Sequence, residues 1–383
     1  MKRCIKMAML FLLILMGLSA VSLPICAAQT VTSESEVYGA WADLVSTVPP
    51  EIAALLPEGF FESDIEGVGA SVGEASTLKS ILRVVGEVTG ITLTQSLAFL
   101  ARIVGALLLC ATFRAAVGEG KGGTGAAVSL VFALSVVLLL TAGQGDHFLK
   151  IERFFDTVRA LCLSLIPLMG ALYAMGGNVG AAVATEGVMS GFLVLLETAC
   201  SGVVVPVAKG LLVLAVADAA TGTATLRGIA ALLRRTFTWG LSFFMMLLGF
   251  ALGTQHTLAV GADTLALRTV RFAAGSFLPV VGGSVSESLK TVAGSVSYLR
   301  GVVGTGGVLL VFFLFLPTFL SVLLTRLSFM LGGAVAGLLG LAREERLLTE
   351  IAAIWGYFMA VIACLFAMTF FSLSLLAHTA TAI

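Results

Sequence analysis

The sequence predicts an all-α polytopic membrane protein, and three observations carry that expectation. Hydrophobic residues make up 58% of the chain and charged residues 11%, whereas a soluble domain carries roughly a quarter charged residues. Apolar runs near the length a bilayer demands recur along most of the chain, enough for about seven to nine spans. The polar sequence is concentrated in two places, a segment after the N-terminus and an interior interruption from Asp263 to Gly307.

Residues 1–28 read as a signal peptide. Lys2, Arg3 and Lys6 form a basic region, Met7 to Leu18 an apolar core, and Cys26-Ala27-Ala28 a small-residue cleavage site. Residues 29–90 form a small extracytoplasmic segment. Between Gln29 and Leu78 there are nine acidic residues and no Lys or Arg, which suits the translocated side because basic residues are retained in the cytoplasm. Its apolar patch around Ile52 to Phe61 is too small for an independent core. Leu78, Ile81, Leu82, Val85 and Val88 recur at helical spacing, as in an amphipathic helix lying at the outer surface.

The membrane domain is expected over 91–383. Apolar segments lie near 91–112, 126–142, 158–175, 188–203, 203–218, 238–258, 302–325, 327–341 and 351–376. Arg227, Arg234 and Arg235 mark the loop before Trp239 as cytoplasmic. A turn near Gly202 and Val203, splitting 188–218 into two short segments, reaches that side from an external N-terminal segment, whereas one long helix would put the three arginines outside. That turn would place Glu197 and Lys209 on facing arms, a candidate intramembrane ion pair. Gly332, Gly333, Ala336, Gly337 and Gly340 form a small-xxx-small pattern that permits close helix contact. Arg343-Glu344-Glu345-Arg346 is charge-balanced and reads as a solvated loop.

An internal repeat is visible. Thr157-Val158-Arg159 is followed by Ser164, Pro167 and Gly170, and Thr269-Val270-Arg271 by Ser276, Pro279 and Gly282. Repeat units of about 126–218 and 238–325 follow from this spacing. In each copy an arginine can snorkel to the membrane edge, a proline interrupts the hydrogen-bond ladder and a glycine permits a turn. Together they describe broken or re-entrant helices, with Arg159, Pro167 and Gly170 as the counterparts of Arg271, Pro279 and Gly282. After Gly283 the second copy turns polar, through Ser284, Ser286, Glu287, Ser288 and Lys290. Small, polar backbone at membrane depth is tolerated where it is buried in protein or lines a wet cavity. Arg271, Pro279, Gly282, Gly283, Ser284 and Ser286 are therefore the candidate pathway or gating residues.

Other chemistry is thinly represented. Gly118 to Gly125 contains a GxGxxG match, but no strand precedes it and Lys121 is followed by Gly122, so it reads as a loop. Cys110, Cys162, Cys200 and Cys364 stand singly without CxxC spacing, and His147, His256 and His378 are scattered. No nucleophile–base set or cofactor box appears. The expectation is a non-enzyme without catalytic residues, cofactor or metal. Membrane lipid is its surroundings, and zero net charge gives no reason to expect nucleic acid.

The run Gly261-Ala262-Asp263, Arg268 to Phe272, Phe277 to Gly283, Ser286, Val303-Gly304 and Gly306-Gly307 resembles the stage III sporulation protein AE family. The layout of signal, acidic segment and polytopic remainder is similar to that family's across essentially the whole chain. The resemblance implies a multispanning protein of the mother-cell membrane around the engulfed forespore. It implies membership of a transenvelope, secretion-like channel complex. Its partners there would be other proteins of the same operon, an AA-type cytoplasmic ATPase and AG- and AH-type ring proteins, with the forespore stage II protein Q reached indirectly. The implied role is the conduit or export gate. A stand-alone secondary transporter, or a non-conducting membrane scaffold, would also account for a repeated broken helix.

Overall fold

A computed structural model describes residues 34–61, 65–117, 144–175, 200–221, 231–240 and 282–381, with isolated positions between 187 and 246. Among these residues every regular element is helical. Among the described residues, four helices are long and apolar enough to cross a membrane. The expected segments near 126–142 and 238–258, and most of 188–203, lie largely or wholly outside the described residues.

The N-terminal segment folds as three short helices, α1 (Glu34–Ser46), α2 (Pro50–Ala53) and α3 (Ile65–Ala75), with a 3-10 turn over Glu58–Phe61. Trp41 and Phe60 lie with ring centroids 5.7 Å apart. They pack with Val37, Leu44, Val68 and Val72 in a small core. The long helices pack against this core. A side chain on Gly306 would meet Val72 at 3.1 Å and Trp41 at 3.2 Å, so that glycine lets the segment seat directly on a long helix.

The centre of the molecule is an antiparallel hairpin of α7 (Gly282–Leu338) and α8 (Ala342–Thr381). Its turn explains part of the glycine pattern. Gly340 has φ +72°, a left-handed conformation that glycine adopts without steric cost. The Leu341 N–H bonds the Ala336 carbonyl at 2.9 Å and the Gly340 N–H bonds Gly337 at 3.1 Å. These bonds satisfy the last carbonyls of α7 and reverse the chain. The facing register is constant along the hairpin: Gly307 meets Leu373, Arg326 meets Gly356, and Gly333 meets Thr349. The small residues serve intramolecular packing. A Cβ on Gly332 would stand 2.7 Å from Ile103, and one on Gly337 3.2 Å from Glu345.

Helix α4 (Leu78–Val117) runs parallel to α7. Ser328 donates to the Ser96 carbonyl at 3.4 Å, Phe99 packs edge-on against Phe329, and Cys110 Sγ lies 3.6 Å from Glu344 Oε1. Helix α5 (Gln144–Met175) packs against the hairpin, and α6 (Val205–Thr221) lies along α8. The N-terminal core sits at the Gly306–Leu373 end. Arg234, ion-paired to Glu350, and Arg343 and Arg346 lie toward the Gly340 end. These ends are about 50 Å apart at 1.5 Å per helical residue. Acidic and arginine-bearing ends are thus separated as the charge rule requires.

Five expectations are corrected. Residues 302–325 and 327–341 are not two segments, because α7 runs unbroken through Arg326 to Leu338. Gly356 of α8 leaves room for the Arg326 guanidinium, so the arginine marks no boundary. Residues 78–88 are not a separate surface helix but the first turns of α4, with Val84 and Val88 buried and Leu78 and Leu82 exposed. The chain does not turn back at Gly202 and Val203. Cys200–Val204 is a π-helical turn feeding straight into α6. Pro206 explains it, since proline has no N–H for the carbonyl four residues earlier, and a wider turn accommodates the ring. Arg343–Arg346 is not a solvated loop but the first turn of α8, and Glu344 is buried. Finally, α5 continues as helix through Pro167 to Met175, so the proline does not end it.

Candidate functional site

The sequence-predicted positions divide into those the structure describes and those it does not. Arg271 and Pro279 lie outside the described residues, as does Glu197. Gly282, Gly283, Ser284 and Ser286 form the first turns of α7, so the backbone is helical from Gly282 onward. The apolar part of α7 begins at Gly301. The polar stretch therefore prolongs the same helix by about 28 Å at 1.5 Å per residue. Of the positions expected as repeat counterparts, Arg159 is exposed on α5, Pro167 faces outward and Gly170 is buried among Leu168, Met169 and Leu172. The two glycines thus differ in setting: Gly170 lies inside a helix and Gly282 opens one.

Lys209 is where the expected intramembrane charge gains a definite partner. Its Nζ lies 2.6 Å from Glu152 Oε1, joining α6 to α5. The lysine side chain is 51% exposed and the glutamate 32%, so the pair faces outward and is not sealed in the core. Sequence reading missed Glu152, which falls between the expected apolar segments at 126–142 and 158–175.

Two more ionisable groups stand out. Arg326 lies mid-way along α7, against Gly356 of α8, where a Cβ would come within 3.4 Å of the guanidinium. Its Nη1 is 3.9 Å from Met359 Sδ, and its buried Nε has no hydrogen-bond partner. A guanidinium held at this depth is costly, and such residues commonly mark a functional position. The glycine at 356, spaced to face Arg326 across the hairpin, was the signal available in the sequence. Glu344 is only 5% exposed, near the N-terminus of α8, and its Oε2 has no hydrogen-bond partner. The positive end of the helix dipole favours a carboxylate there.

Around Arg326 the bundle is a stack of aromatic rings. His147 packs edge-on against Trp355, with centroids 5.7 Å apart, and against Phe99 at the same separation. Phe148 meets Phe358 at 5.5 Å, and Phe154 meets Phe315 at 5.0 Å. These contacts lock α5 to the middle of the hairpin. Among the described residues, no group of three His, Cys, Asp or Glu side chains could hold a metal ion.

Comparison with known proteins bears on identity. The family model for stage III sporulation protein AE matches residues 70–380, which includes all four long helices. The stage III sporulation protein AE of Bacillus subtilis (strain 168) is 26% identical over 253 residues, covering 65% of this chain. The match spans 62% of that relative's length. No solved structure shows a significant match. A match over most of the chain, on a bundle of long apolar helices, leads to one conclusion: the protein belongs to the stage III sporulation protein AE family and is a sporulation membrane component.

Proposed function

We propose that this protein is the large multispanning component of a transenvelope, secretion-like complex between mother cell and forespore, serving as its conduit or export gate. It would sit in the mother-cell membrane around the forespore. There it would work with an AA-type ATPase and AG- and AH-type ring proteins, and reach the forespore stage II protein Q through them. The observation that carries the reading is the family match over 70–380, which takes in the whole hairpin with α4 and α5. The polar first turns of α7, prolonging a membrane helix, are consistent with a helix that leaves the bilayer toward such partners.

The test is cysteine-accessibility labelling from Ser284 to Ser297 in membranes of sporulating cells, paired with counts of heat-resistant spores. A conduit predicts labelled positions, and lost spores when Gly282 or Gly283 becomes tryptophan while the protein still assembles. Uniform protection from aqueous reagents, or normal spore counts with those variants, would sink the conduit role and leave a scaffold.

A further inference from the structure

Helix α5 carries six charged residues in its first half: Asp146, Lys150, Glu152, Arg153, Asp156 and Arg159. They are not scattered around the helix. Phe148, Ile151, Phe154, Phe155 and Val158 are buried against the bundle, while Asp146, Leu149, Lys150, Arg153, Asp156 and Arg159 are exposed. The exposed residues recur every three or four positions, which makes one helix face. The Glu152–Lys209 ion pair flanks it.

Its depth is what makes this face unusual. Phe148 packs on Trp355 and Phe358, and Phe154 packs on Phe315. Trp355 in turn neighbours Gly356, which faces Arg326. The charged face therefore lies level with residues 315–327 of α7, the middle of the apolar stretch Gly301–Leu338. At that level α7 exposes Leu323 and Leu327. A band of exposed leucines belongs in hydrocarbon. Asp146, Lys150, Arg153 and Asp156 in the same band are poorly suited to face lipid, because a charge at the bilayer centre costs about 3 kcal/mol or more. A face of closely spaced cations and anions is stable at membrane depth when water solvates it.

We infer that the outward face of α5, Asp146 to Asp156, is a water-lined wall at membrane depth. Its mixed charge, two cations and two anions among its four exposed ionisable residues, suits hydrated polar solutes of either sign over ions of one sign. The inference rests on depth and exposure and not on the conduit reading, which concerns a different helix end.

Lys150→Cys, Arg153→Cys and Asp156→Cys are compared with Leu323→Cys and Leu327→Cys in native membranes. A membrane-impermeant charged maleimide and a permeant apolar one are the two probes. The parent chain sets the baseline, and its Cys110 and Cys162 are buried. A thiol reacts as its thiolate, which forms in water and not in lipid. The α5 positions are therefore expected to label at least about tenfold faster than the leucine positions with the impermeant reagent. Leu149→Cys, exposed on the same face, reports if a charged-site variant does not accumulate. Equal protection of both sets would overturn the inference and indicate a polar partner helix sealing the face. Equal labelling of the leucines would overturn it by removing α5 from the membrane. Labelled α5 positions with protected 284–297 would leave this wall standing and sink the proposed conduit through α7.

Discussion

At the level of Phe315 to Phe329 the bundle presents two unlike surfaces. Toward one side, α7 shows Leu323 and Leu327, and α4 shows Leu97. Toward another, α5 shows Lys150, Arg153 and Asp156, with Glu152 holding Lys209. Both surfaces are carried by the same aromatic stack, so both have the same depth. Apolar content alone made each of these helices a membrane candidate. Only the contacts separate the one that can meet lipid on its outer face from the one that cannot.

The firmest way to break the comparison is to separate the helices that set the depth. Gly332→Leu drives a side chain into Ile103, which a Cβ at 332 already meets at 2.7 Å. Overpacking of this kind costs about 1–3 kcal/mol. The variant should melt earlier in detergent, and Ile103→Ala should restore part of the loss; an unchanged melting curve would dispute the α4–α7 contact. Next comes the hairpin turn. Gly340→Val places a β-branched residue at φ +72°, a cost of about 1–2 kcal/mol. Limited proteolysis near residue 340 should rise accordingly.

The ion pair sharpens the comparison further. A solvated pair contributes at most about 1 kcal/mol, whereas breaking one sealed in a dry interior costs about 3–5 kcal/mol. A double-mutant cycle of Lys209→Met and Glu152→Gln should give a coupling at the solvated end. The smallest stability effect is expected at Arg326→Met. The methionine fills a similar path against Gly356 and Met359 and removes a buried N–H that has no partner. Thermal unfolding should be nearly unchanged. Heat-resistant spore counts should fall, because the guanidinium and not its bulk is what an intramembrane site would use.

Much of this was legible in the sequence. Composition gave the all-helical membrane class. The acidic run from Gln29 and the arginines at 227, 234 and 235 pointed to opposite ends, and the structure places the acidic segment and Arg234 so. The glycines around 332–340 announced close packing. What composition could not give was the relation between distant residues. Glu152 and Lys209 are 57 positions apart, and no local pattern joins them. Arg326 looked like a boundary because an arginine normally ends an apolar span, yet Gly356 opens a niche for it. Glu344 looked solvated because its neighbours are charged, while the Gly340 turn folds it against Cys110. The charged half of α5 lay between the expected apolar segments, since periodicity shows which face is polar but not how deep that face lies.

The account's central claim is that two faces at one depth meet different media. The most direct measurement is spin-label accessibility in lipid vesicles, with labels at Arg153→Cys and Leu327→Cys. A water-soluble nickel chelate should relax the label at 153 more strongly than oxygen does, and oxygen should dominate at 327. Oxygen-dominated relaxation at both positions would contradict the claim.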